Sequence, residues 1–244
     1  MRLIIAALFV TVGFTGLVEA ANNFQDDLIR NSSSFITEHP DLKFRSRAIA
    51  AYRRARYSEA FTNFRYAAKY ADKPSQGMLA EMLWKGEGVA VDRVQAYAWI
   101  DLAAERAYPS MVLSREKMWS LLSEAERKQA VTLGLGLYEY YGDTVAKKRL
   151  ESAIRRKRMN VIGSRAGYVS TAHVCLDMTA NGPNDLMTCK DKVDSSVFYQ
   201  DKYWKSEEYW KWQDIAWQSP RTGRVDVSPF QVVPDATNSE VNKK

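Results

Sequence analysis

Between residues 79 and 108 the apolar positions fall twice at helical spacing, with a glycine-bearing break between the two runs. Leu79, Met82 and Leu83 mark the inner side of a first helix. Gly86 and Gly88 then interrupt it, as expected where a helix ends in a left-handed residue and the chain turns sharply. Asp92 offers a carboxylate to the free amides of a new first turn, and Gln95 follows in the capping-box position. Along the second helix Ala96, Trp99, Ile100, Ala103, Ala104 and Ala107 recur at three- and four-residue steps, so one face is apolar. The small alanines admit a partner helix at close range, and Trp99 fills what they leave open. The stretch is a packing unit rather than an active site.

The same pattern occurs once before. Ala60, Phe64, Ala67 and Ala68 align with Ala96, Ile100, Ala103 and Ala104 at a constant offset of 36 residues (103 − 67), the mark of stacked helical hairpins. This first repeat begins near Asp41 and replaces the glycine turn with the tighter connection Arg54–Tyr57. Pro74 and Pro109 punctuate successive pairs. A degenerate third pair carries Met111, Val112, Met118, Trp119 and Leu122, and Ser123 with Glu126 forms a capping box that opens a long helix to Tyr141. Ala130, Leu133, Leu137 and Tyr141 are its expected inner face, and the 36-residue offset is expected to fail there, giving a closing helix. A further helix over residues 144–159 places Ala146, Leu150 and Ile154 inward.

The run from Leu79 through Gly86, Gly88 and Val89, followed by Asp92, Ala96, Trp99, Ala103 and Ala104, resembles the SEL-one-like (SLR) repeat family of the tetratricopeptide-like α-solenoids, in its exported bacterial form. It departs from the family pattern at Ala80, usually glycine, and at Ile100, usually aromatic. The resemblance implies a mainly α fold, a short solenoid of stacked helical hairpins that binds other proteins. It carries over no catalytic residue, and Gly86, Gly88, Asp92, Ala96, Trp99, Ala103 and Ala104 enter as structural positions.

Beyond Gly163 the pattern changes period. Tyr168, Ala172, Val174, Leu176 and Met178 alternate with mostly polar neighbours, a strand signal, and Asn181-Gly182-Pro183 reads as a loop. Cys175 and Cys189 flank that loop and are the only cysteines, so in an oxidising compartment they make a disulfide. The rival reading is a Cys175 nucleophile activated by His173 on the same strand face. Next come Phe198, Tyr199, Tyr203, Trp204, Tyr209, Trp210, Trp212 and Trp217, with a helix expected from Ser206 to Gln218. Exposed, Tyr209, Trp210 and Trp212 would form a stacking platform for cell-wall glycan; buried, they build a small core. A short strand at Arg224–Val227 precedes a polar tail. This yields a small C-terminal α+β module over residues 163–230 and a disordered tail over 231–244.

The chain start alters the compartment. Arg2 precedes an apolar run from Leu3 to Val18, and Ala20 suits a signal peptidase, so residues 1–20 read as a cleavable signal with a retained anchor as the alternative. Residues 21–40 form a polar lead-in, in which Asn31-Ser32-Ser33 is a formal glycosylation acceptor and His39 is expected in a solvated loop. Residues 41–162 form the helical repeat domain. A periplasmic or secreted protein with no transmembrane span in its mature form is the result.

A net charge of +6 suits acidic partners, and export argues against nucleic acid. The basic residues concentrate at Lys147, Lys148, Arg155, Arg156, Lys157 and Arg158, either a patch for an acidic partner or envelope surface, or a solvated helix face. Chemistry is sparse. Gly134 and Gly136 lack the third glycine of a dinucleotide loop, Ser164 is off-centre for a nucleophile elbow, and His39 and His173 stand far apart. No cofactor, metal or catalytic set is expected. The sequence therefore reads as a non-enzymatic scaffold for protein partners, with an envelope enzyme or glycan-binding module in the aromatic region as the alternative.

Overall fold

The computed structural model describes residues 24–162, 173–179 and 187–218. The signal segment, the 181–183 loop, the 224–227 strand and the tail lie outside the described residues. The fold is helical hairpins in succession, with one two-stranded sheet.

A helix over residues 24–31 (α1) leads into α2 (Ser33–Glu38), α3 (Pro40–Arg53) and α4 (Tyr57–Ala68). Next follow α5 (Lys73–Lys85), α6 (Arg93–Ala103), α7 (Pro109–Leu121), α8 (Glu124–Tyr141) and α9 (Asp143–Ile162). Strands β1 (His173–Thr179) and β2 (Thr188–Asp194) pair antiparallel, with register shifts around Asp177. Three helices close the described chain: α10 (Ser195–Phe198), α11 (Asp201–Trp204) and α12 (Ser206–Gln218).

The turn from α5 to α6 forms as its residues dictate. Gly86 caps α5 at φ 77° and Gly88 sits at φ 73°. A Cβ on Gly88 would lie 2.4 Å from the Tyr57 carbonyl carbon, so only glycine lets this loop touch the start of α4. Asp92 caps α6 by accepting from the Gln95 amide at 2.8 Å. Ala96, Ala103, Trp99 and Ala104 are all buried, inside or beside a core shared with Ala60, Phe64, Ala68, Leu79 and Met82.

The 36-residue spacing extends further than the sequence suggests. Helices α5 and α7 begin 36 residues apart (109 − 73) and end 36 apart (121 − 85). Ala71 and Ala107, also 36 apart, take the same left-handed turn before them, at φ 60° and 54°. The offset breaks at both ends of the array: α5 starts 33 residues after α3 (73 − 40), and α8 starts 31 residues after α6 (124 − 93), where Leu122-Ser123 replaces the longer Gly86–Asp92 loop. The third pair is thus a repeat in its first helix and irregular in its second. In α8 the Ser123–Glu126 capping box is complete. Leu133 is exposed rather than inward, since Ala130 and Gly134 take the buried side.

A second core gathers the two ends of the described chain. Ile29 and Phe35 pack with Ala146, Leu150 and Ile154 of α9, Leu176 of β1, and Phe198, Tyr203, Trp204, Tyr209 and Trp210. Burying rings of this size contributes on the order of 2 kcal/mol each. Lead-in and strand also join through polar groups: the Ser33 amide donates to Asp177 Oδ1 at 2.8 Å, and the Ser34 hydroxyl to the Cys175 carbonyl at 2.6 Å. His39 is a correction to the sequence reading. It is fully buried, stacked between Phe35 and Tyr209 at centroid distances of 3.9 and 5.2 Å, with its ring nitrogens on the Phe35 and Tyr203 carbonyls. Leu176 faces inward, while Met178, two residues on, is exposed.

Candidate interaction groove

Three first helices line one hollow. Arg45, Ile49, Tyr52 and Arg53 of α3, Pro74, Gly77, Met78, Glu81, Trp84 and Lys85 of α5, and Ser110, Met111, Ser114, Lys117, Met118 and Leu121 of α7 border a groove of about 810 Å³. On each helix these residues recur at three- and four-residue steps, so each helix lends one stripe to the lining. Helices α4 and α6 stand behind, contributing only Phe64 and Ile100 to its floor. Trp217, near the end of α12, also lines the groove, its ring 6.4 Å from that of Tyr108. A Cβ at Gly77 would meet Met111 Sδ at 2.8 Å, so the glycine leaves room for the flexible end of that methionine.

The lining is apolar with a basic bias. Ile49 and Leu121 are exposed at 38% and 54%, and Met78, Trp84, Met111 and Met118 are half-buried. Arg45 is neutralised by Asp72 at 2.5 Å, and Lys85 pairs with Glu81. Arg53 and Lys117 have no ion-pair partner among the described residues. The Tyr52 hydroxyl donates to Glu87 at 2.7 Å, and that hydrogen bond pushes its pKa up to about 12. Arg45, Ile49 and Arg53 also border a second hollow of about 340 Å³, which adds Arg30, Ser46 and Trp212.

Behind the groove, buried ionic groups hold its walls. Lys73 is fully buried and donates to Glu105 at 2.6 Å, Leu102 O at 3.0 Å and Gln76 Oε1 at 3.1 Å. Arg106 grips Asp143, donates to Ala71 O at 3.1 Å, and lies 4.4 Å above the Trp210 ring. Burial opposes ionisation of Asp143, yet Arg106 and Lys73 hold its carboxyl well below the usual range. Tyr108 OH donates to Asp214 at 2.5 Å, tying the start of α7 to α12.

A further buried set joins α3 to α12. Tyr209 OH donates to Asp41 and accepts from Gln213 at 2.9 Å. Burial, aided by the Asp72 charge, pushes Asp41 up to about 7, and burial alone drives His39 down to about 4. Sequence reasoning missed this set, because Asp41 and Tyr209 lie 168 residues apart.

The sequence-derived candidates fall in several places. Cys175 and Cys189 form the disulfide with Cα atoms 5.6 Å apart, which removes the thiol-nucleophile reading. Tyr209 is wholly buried and Trp210 nearly so, while Trp212 lies under the Arg30 guanidinium at 4.1 Å. Those rings are spent in the second core rather than assembled into an open face. On α9, Lys147 pairs with Asp143 at 2.9 Å, Lys157 with Glu38 at 3.3 Å and Arg158 with Asp201 at 3.2 Å. Lys148, Arg155 and Arg156 are exposed. Among the described residues no three His, Cys, Asp or Glu side chains stand close enough to hold a metal.

No family model matches the chain, and no curated protein matches it. Among solved structures it is similar to a protective antigen of uropathogenic Escherichia coli strains that displays an SLR fold. The two are 26% identical with a TM-score of 0.34, over 48% of this chain and 23% of the antigen. The chain therefore spans about a quarter of that antigen's length.

Proposed function

We propose that the chain is a non-enzymatic, exported scaffold that takes an extended segment of a protein partner in the groove between α3, α5 and α7. One observation carries the reading: three helices offer aligned apolar stripes to one open hollow of about 810 Å³, long enough for a peptide. The 13-residue length of α5 gives the groove a span of about 20 Å, which holds roughly six extended residues. Methionines suit this role because their unbranched chains adapt to the partner's side chains. Export is supported by the disulfide and by the apolar run at residues 3–18. Among the described residues no helix is long and apolar enough to cross a membrane. The lead-in 21–40, repeat domain 41–162 and module 163–230 are taken to act together, a reading supported by the second core that their described residues share.

Affinity capture from the native envelope tests this reading with the Met111→Glu/Met118→Glu variant. Partners held by the wild type are expected to be lost from this variant, whose fold is checked by circular dichroism. Undiminished capture contradicts the proposal.

A further inference from the structure

The groove has a candidate occupant within the chain itself. Trp217 is one of the residues lining the groove, and the described residues end one position later at Gln218. The chain that continues from this point therefore starts at the groove's mouth, with 26 residues still to run (244 − 218). Residues 225–240 read VDVSPFQVVPDATNSE: five large apolar side chains (Val225, Val227, Phe230, Val232 and Val233), three acids (Asp226, Asp235 and Glu240), and no Lys or Arg. The groove offers the complement, an apolar floor and the cations Arg53 and Lys117, which have no ion-pair partner among the described residues. Pro229 and Pro234 are poor helix residues, and a groove between helices accepts a non-helical segment. Reach is ample, because each extended residue adds about 3.3 Å and seven residues (218–224) precede Val225.

We propose that the tail segment 225–240 binds in the α3–α5–α7 groove of its own chain through the roughly six residues around Val227 and Phe230, the length the groove accommodates, and competes there with the partner segment. The inference rests on the reading of the groove as a peptide-binding surface and adds to it a built-in competitor. Tethering favours it: a segment joined to the groove's edge by a short linker faces an effective concentration in the millimolar range, so a weak intrinsic affinity suffices for occupancy. A partner must then displace the tail, which restricts capture to segments that bind more tightly.

The full chain labelled with ¹³C at its methionine methyl groups tests this by NMR. Met78, Met111 and Met118 report on the groove, Met82 on the core behind it, and Met178 and Met187 on the strands. Replacing Val227 and Phe230 by Ser is expected to shift the three groove methyl resonances and leave Met82, Met178 and Met187 in place. Added synthetic 225–240 peptide is expected to return them. Should the Met82 resonance move as well, the charge-reversed tail Asp226→Lys/Asp235→Lys decides, since it alters no apolar contact; it too is expected to shift the groove trio. Groove resonances indifferent to both variants overturn the proposal. So does a tail-dependent shift that vanishes on dilution, which assigns the occupant to a second copy. If the groove methyl groups ignore the tail while partner capture still depends on Met111 and Met118, the inference fails alone and the binding function stands.

Discussion

Arg106 and Asp143 meet in a two-pronged ion pair, Nε to Oδ2 at 2.6 Å and Nη2 to Oδ1 at 2.9 Å, which locks the turn after α6 to the first residue of α9. Only 8% of the Arg106 side chain and 17% of the Asp143 side chain remain exposed. Asp143 also receives Lys73 at 3.2 Å, so the pair anchors the buried lysine behind the groove. Arg106→Ala is expected to lower the unfolding free energy by about 3 kcal/mol in urea titration, because it removes the two-pronged partner of a mostly buried carboxylate and leaves only Lys73 and Lys147 beside it. Lysine in its place should recover less than half, as it cannot present a planar fork or lie flat on Trp210.

The glycines separate by location. Gly88→Ala must shift the Tyr57-Ser58 backbone and adopt φ 73°, and is expected to cost about 2 kcal/mol or more. Gly134→Ala faces empty space inside α8 and should stabilise by about 1 kcal/mol through helix propensity. Thermal unfolding of the two variants should therefore move in opposite directions.

Two buried groups give the fold a concealed pH dependence. The folded pKa of His39 falls to about 4 from 6.5, so its contribution is present above pH 6.5 and is lost as pH falls toward 4. That of Asp41 rises to about 7 from 3.8, so its contribution is present below 3.8 and is lost as pH rises toward 7. Over the shared window the slopes oppose one another. Asp41→Asn is expected to unmask stability that climbs from pH 4 to 6.5, and His39→Gln stability that declines from pH 4 to 7, each by at most about 1.4 kcal/mol per pH unit. Two flat profiles would contradict these assignments.

The disulfide closes a 14-residue separation and pins β1 to β2. Cys175→Ser/Cys189→Ser should cost about 3 kcal/mol. Hydrogen exchange should rise first in β1, β2 and α2, which the Ser33 and Ser34 bonds couple, and later in α4 to α6.

Local signals made the hairpins legible: the glycines at 86 and 88, the Asp92 cap, the alanine steps and the Ser123–Glu126 capping box all act within a few residues. The groove was half-legible. Its lining recurs at helical spacing on α3, α5 and α7, but such stripes look like core until the stacking shows that no further layer covers them among the described residues. The second core was illegible in principle, because Phe35, Leu150, Leu176 and Tyr203 come from four distant segments. His39 illustrates the limit. Beside proline it looks like a loop residue, and only the rings of Phe35 and Tyr209 make it a buried one.

The most direct test of the central claim is hydrogen exchange on the chain with and without its captured partner. Protection is expected on the groove side of α3, α5 and α7, around Ile49, Met78, Met111 and Met118, with α9 and α12 unchanged. Protection confined to Lys148, Arg155 and Arg156 of α9, or to the aromatic helix α12, with the groove helices unaltered, would contradict the account.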